Sequence, residues 1–131
     1  MYKHIAHIAL VIDDYDKAID YYTKVLMFKL KEDTLLAPGK RWVLLAPSSH
    51  AETCILLAKA TNDDELSRVG NQTGGRVFLF LYTDNFGRDH QHLISQKVKI
   101  VRAPVIEKWG EVLVFEDRYG NLWDLIAPAN K

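Results

Sequence analysis

Cys54 is the only cysteine in this chain of 131 residues, so no disulfide can close within it and its stability must come from an apolar core. That usage fits a reducing compartment. Charge of one sign is also missing. Lys plus Arg and Asp plus Glu both number 17, which leaves no net field to hold a nucleic-acid backbone or an anionic membrane. The longest uncharged apolar run, 77–83, is far too short to span a bilayer. The opening Met1-Tyr2-Lys3-His4-Ile5 lacks the apolar core and cleavage site of a secretory signal. These absences predict a cytoplasmic protein with no nucleic-acid and no membrane partner. Gly74-Gly75 lacks the Lys-Ser/Thr of a phosphate loop, and there is no serine-nucleophile or paired-cysteine motif. Nucleotide chemistry is not indicated.

The composition, 48% hydrophobic and 11% aromatic, is that of one globular domain spanning residues 1–131. An apolar β-branched run over 5–12 ends at Asp13-Asp14, which suit a helix N-cap. Ala18, Ile19, Tyr22, Val25 and Leu26 then recur at helical spacing over 14–26. Strands are predicted at 28–35, 41–46 and 53–58, punctuated by Pro38-Gly39 and Pro47-Ser48-Ser49. Residues 62–69 suit one or two helical turns, and Gly70-Asn71-Gln72-Thr73-Gly74-Gly75 suits a linker. The order then recurs: a strand at 77–82, a helix capped by Thr83-Asp84 and running to about 96, and strands at 98–101, 111–115 and 122–126. An offset of 71 lays Asp13-Asp14-Tyr15 over Asp84-Asn85-Phe86. The economical reading is two βαβββ units, about 1–60 and 76–131, joined by a linker with a short helix at 61–75.

The stretch His7-Ile8-Ala9-Leu10-Val11-Ile12-Asp13-Asp14, followed by 18–26, resembles the opening of the vicinal oxygen chelate superfamily, which holds glyoxalase I, extradiol dioxygenases and bleomycin resistance proteins. The ending 115–126 resembles its closing hairpin, in which a D-x-x-G-N turn joins the last two strands. The resemblance implies an α+β, glyoxalase-like fold: two βαβββ units form a curved mixed sheet with a concave ligand cleft. It also implies a homodimer. In the family's enzymes one divalent metal is held by four side chains, from the first and the last strand of each unit.

Tested one at a time, those positions are thinly furnished. His7 matches on the first strand. Phe78 occupies the equivalent place in the second unit, and a phenyl ring cannot ligate a metal. Asp124 stands where glutamate is commoner. The remaining position falls on Cys54 or Ile55, with Glu52 a substitute only if the register slips. The metal candidates are therefore His7 and Asp124 with Cys54 as a soft third, a set that suits zinc before other metals. An empty site is the preferred reading, and Asp124 orienting His7 as a general base is a further one.

Blander roles compete at each position. A lone His on an apolar strand is commonly a core residue, and Cys54 is commonly a small hydrophobe with no basic sequence neighbour to activate it. His90 and His92 lie two apart on a helix and do not share a face. His4 and His50 suggest no chemistry. Strand alternation places His7, Ala9 and Val11 with Phe78, Phe80 and Tyr82 and with Leu122, Asp124 and Ile126 along the implied cup; Trp42 and Trp109 are further candidates that could equally be core or dimer contacts. That lining suits a small, largely apolar or aromatic ligand with one or two polar groups. Three readings follow: a small-molecule-binding protein without a complete metal site; a metal-dependent lyase, isomerase or dioxygenase using His7 and Asp124; and an antibiotic-sequestering resistance protein. Zero net charge argues against cationic bleomycin as the cargo of the third.

Overall fold

Alternation in β1 (His7–Ile12) sends Leu10 and Ile12 into the core and leaves His7 and Ala9 exposed on the opposite face. Asp14 stops the strand and caps α1 (Tyr15–Lys24), its carboxylate accepting from the Lys17 N–H at 2.9 Å. Ala18 and Tyr22 are the helix's buried stripe. β2 (Lys29–Ala37) and β3 (Lys40–Ala46) form a hairpin, and β4 (Cys54–Lys59) runs antiparallel to β3 and parallel to β1, giving the order β1-β4-β3-β2. Val43, Leu45 and Leu57 join Leu10 and Ile12 in the core. Arg41 ties helix to hairpin by donating to both Asp33 oxygens and to Asp16, with its guanidinium over the Tyr15 ring. The short α2 (Asp63–Leu66) is capped by Asn62, which accepts from the Glu65 N–H.

The structure is a computed structural model that describes residues 1–129. The chain divides into two compact units, the first ending at Val69 and the second starting at Gly70. The second repeats the order of the first, with β5 (Leu79–Tyr82), α3 (Phe86–Ser95), β6 (Lys99–Glu107), β7 (Gly110–Glu116) and β8 (Leu122–Pro128) paired as β5-β8-β7-β6. Each unit thus contributes its own four-stranded mixed sheet to the expected α+β, glyoxalase-like architecture. In the second core Trp123 stacks on Phe115 with ring centroids 5.9 Å apart, and Leu113 and Leu125 are buried beside them.

The turn from β7 to β8 is built on a buried carboxylate. Asp117 Oδ1 accepts from the backbone N–H groups of Tyr119, Gly120 and Asn121, and Oδ2 accepts from Asn121 Nδ2 and Trp123 Nε1. Gly70, at φ +75, lies so close to this turn that a Cβ there would fall 1.7 Å from the Tyr119 carbonyl oxygen.

Two expectations change. The cap of α3 is Asn85, which accepts from the Arg88 N–H, while Thr83 accepts from the Asn85 N–H one step earlier; Thr83-Asp84 begins the turn rather than capping the helix. β6 runs to Glu107 instead of ending at 101. It passes Pro104 because it is an edge strand whose register shifts between Arg102 and Val105, where a missing N–H breaks no ladder bond.

Candidate functional site

In the second unit the register aligns three rows of side chains on the face opposite Trp123 and Leu125. Phe78 leads the first row through its backbone N–H, which donates to the Leu122 carbonyl at 2.8 Å; Leu122 pairs with Glu116, and Glu116 with Lys99. The second row is Phe80, Asp124, Val114 and Arg102, and the third is Tyr82, Ile126, Val112 and Val105. Phe80 and Tyr82 are 64% and 70% exposed, whereas Val112, Val114 and Ile126 are buried. An aromatic rim therefore borders an aliphatic floor.

Asp124 is the carboxylate in the middle row. It is half-buried, accepts no hydrogen bond among the described residues, and has no cation within 4 Å. Burial pushes its carboxyl above the usual carboxylate value, and the Arg102 charge across Val114 opposes that shift. A carboxylate flanked by phenyl and isopropyl groups suits the receipt of a ligand's hydrogen bond, because its own unit offers none. Beside the first row lies a cavity of about 180 Å³, lined by Phe78 and Leu122 and by the polar groups of Gln72, Thr73, Arg76 and Glu116.

In the first unit His7 and Ala9 share a face with their parallel partners Cys54 and Leu56. The His7 ring meets the half-buried Trp42 edge-on, with centroids 5.9 Å apart. Cys54 is buried with Leu44 and Ala46, with Trp42, Ala51 and Leu56 packed against them. Of Cys54 and Ile55, Cys54 shares the face of His7, whereas Ile55 pairs with Ile8 and Leu45 on the other face. Glu52 lies before β4 in an exposed turn and cannot take a strand position.

The residues expected along the ligand face thus fall into two sets, His7 and Ala9 in the first unit, and Phe78, Phe80, Tyr82, Leu122 and Asp124 in the second. Trp109 lies on the exposed β6–β7 turn, where its carbonyl accepts from the Ala129 N–H. Sequence reasoning missed Arg102 and Val114. Arg102 follows the point where the strand was expected to end, and the signal that would have reached it is the apolar 105–106 beyond Pro104.

The donor chemistry does not fit a four-ligand metal centre. Phe78 has no lone pair to offer, and Cys54 is sunk in an apolar cluster. Among the described residues no three His, Cys, Asp or Glu side chains gather as a metal-binding group. No helix among them is long and apolar enough to cross a membrane.

Comparison with known proteins agrees with the fold. Residues 4–125 match the model of the Glyoxalase/Bleomycin resistance protein/Dioxygenase superfamily. An uncharacterized protein of Shewanella frigidimarina (strain NCIMB 400) is 50% identical over 100% of this chain and 98% of its own. Among solved structures, UcmS2 superposes with a TM-score of 0.82 at 23% identity, covering 96% of this chain and 98% of its own. TnmS3, an antibiotic binding protein from Streptomyces sp. CB03234, superposes with a TM-score of 0.77 at 26% identity, covering 98% of each chain.

Proposed function

Because the chain belongs to the Glyoxalase/Bleomycin resistance protein/Dioxygenase superfamily, we propose that it binds a small organic molecule, largely apolar or aromatic with one or two polar groups, and does so without a resident metal. The observation that carries this reading is the entry to the second unit's first strand, where Phe78 takes the place at which a metal enzyme would need a donor and Phe80 and Tyr82 follow it on the same face. Aromatic side chains at that place gain affinity by burying ligand surface. The polar cavity beside Phe78 offers room for a substituent that must stay hydrogen-bonded. Sequestration without chemistry is the form of binding favoured, supported by the likeness to the antibiotic binding protein TnmS3. We further place the protein in the cytoplasm as a homodimer, a state supported by the family resemblance. Light scattering at twice the 15.0 kDa chain mass is the expected result.

The test is elemental analysis of untagged protein purified without added chelator, with His7→Ala and Asp124→Ala measured alongside. Substoichiometric metal in all three, together with stabilisation by flat aromatic compounds in a thermal-shift screen, is the expected result. Near-stoichiometric metal in the native chain, lost in both variants, would overturn the proposal in favour of lyase, isomerase or dioxygenase chemistry.

A further inference from the structure

We infer that the cavity between the 70–76 linker and the β7–β8 turn is an anion subsite, in which Arg76 receives the carboxylate of a small aromatic acid. The inference rests on the small-molecule reading above and names the substituent that this cavity takes. Its walls belong to the second unit and are pinned in place. Gly70 lies against the Tyr119 carbonyl, the Gln72 amide donates to Asn121 Oδ1 at 3.4 Å, and the Thr73 hydroxyl donates to the Arg76 carbonyl. Asn121, the buried member of the lining, is held in turn by Asp117. A segment fixed at those points loses little freedom when a ligand enters.

The charges around the cavity decide which kind of group it takes. The Arg76 guanidinium makes no hydrogen bond or ion pair among the described residues. Its charged neighbours are already answered: Glu116 meets Lys99 at 3.9 Å, Asp124 feels Arg102 across Val114, and Asp117 is spent on five donors. Arg76, Lys99, Arg102 and Arg118 against Glu116, Asp117 and Asp124 leave one positive charge in excess, and the unanswered group stands on the cavity wall. Glu116 lines the same cavity, but an ammonium there would compete with Lys99 and face Arg76. A carboxylate matches the guanidinium fork with two parallel N–H···O bonds. Phe78 and Leu122 complete the lining and offer the apolar surface on which a ring lies. The volume of about 180 Å³ holds one six-membered ring, since cavities of about 150 Å³ take benzene.

The experiment is a titration of ¹⁵N-labelled full-length protein with benzoate, benzamide, acetate and benzylammonium at fixed pH and ionic strength, followed through the amides of Thr73, Arg76, Phe78 and Leu122. The native chain is expected to bind benzoate about tenfold or more tighter than benzamide, as hydrogen bonds from a charged donor imply, and tighter than acetate, which brings no ring. In Arg76→Gln, a change at an exposed side chain, benzoate and benzamide are expected to bind alike. Glu116→Gln removes the opposing charge and is expected to tighten benzoate. Equal affinities for benzoate and benzamide in the native chain would overturn the inference and leave the small-molecule reading standing, a comparison that needs no variant to fold. Acetate as tight as benzoate would overturn it as well, since charge alone would then be read, and so would tightest binding of benzylammonium. No response of any amide in the chain to the three aromatic probes at millimolar concentration would overturn both the inference and the reading beneath it.

Discussion

The two units repeat one strand order and close it by different physics. In the first, the connection from β3 to β4, residues 47–53, is held by the Ala51 N–H on the Ser48 carbonyl and by the Thr53 hydroxyl on the Ile5 carbonyl, with Ala51 packed on the Leu44, Ala46 and Cys54 cluster. In the second, the connection from β7 to β8 hangs on Asp117, which is 3% exposed and gathers backbone, amide and indole donors. Apolar cover spreads its contribution over many weak contacts and loses it gradually. A buried acceptor concentrates it, because each donor left behind carries its own desolvation cost. Identical topology therefore does not imply identical tolerance to substitution.

The largest expected effect follows from that contrast. Asp117→Ala should lower stability by about 3–4 kcal/mol in urea unfolding, and Thr53→Ala by about 1 kcal/mol. Equal losses would mean that the Asp117 turn recruits water as readily as the first unit's loop. A second contrast uses two glycines of nearly equal backbone geometry, Gly39 at φ +77 in the first unit and Gly70 at φ +75 in the second. Gly39 has nothing within 4 Å of a built Cβ, so Gly39→Ala should cost only the left-handed penalty of about 1 kcal/mol. Gly70→Ala adds the collision with the Tyr119 carbonyl and should cost about 3 kcal/mol or more, read as the wider drop in Tm. A drop no larger than that of Gly39→Ala would show that the 117–121 turn yields freely.

The smallest effect has opposite signs in the two units. Hydrogen bonds from Arg41 hold the Asp33 carboxyl below its usual value, so its charged form stabilises the fold above pH 3.8 and that contribution fades as pH falls through the depressed value. Asp33→Asn should therefore lower Tm at pH 7 and matter less in acid. Burial holds Asp124 above its usual value, so its charged form opposes folding at neutral pH, and the opposition disappears once the group is protonated in both states, below about 3.8. Asp124→Asn should raise Tm at pH 7 and leave it unchanged near pH 3. A fall at pH 7 would show that the carboxylate already has a stabilising partner. A rise would fit a side chain kept for binding at the expense of stability.

What was legible in the sequence is what local chemistry decides. Asp14 ahead of an amphipathic run marks a helix start because the cap bond spans three residues, and period-two alternation places Phe80 and Asp124 on faces that the register then aligns. The D-x-x-G-N turn was visible as a turn. Its depth was not, since Asp117 becomes a buried acceptor only when the Trp123 indole, six residues on, folds back onto it. Arg102 escaped notice for a related reason. Proline predicts the end of a strand unless the strand lies at a sheet edge, and edge position belongs to the tertiary pairing. The alignment of Arg102 and Lys99 with Asp124 and Glu116 in neighbouring rows was therefore hidden although every charge could be counted.

Pro104 has a consequence beyond the shape of β6. The strand carries exposed Val101, Val105 and Ile106 along an outer edge, the combination that invites a second molecule to add its own strand and begin a fibril. A proline at the shifted register removes a donor that an incoming strand would need and twists the edge away from it. Pro104→Thr is therefore expected to aggregate at lower concentration than the native chain, as light scattering would read.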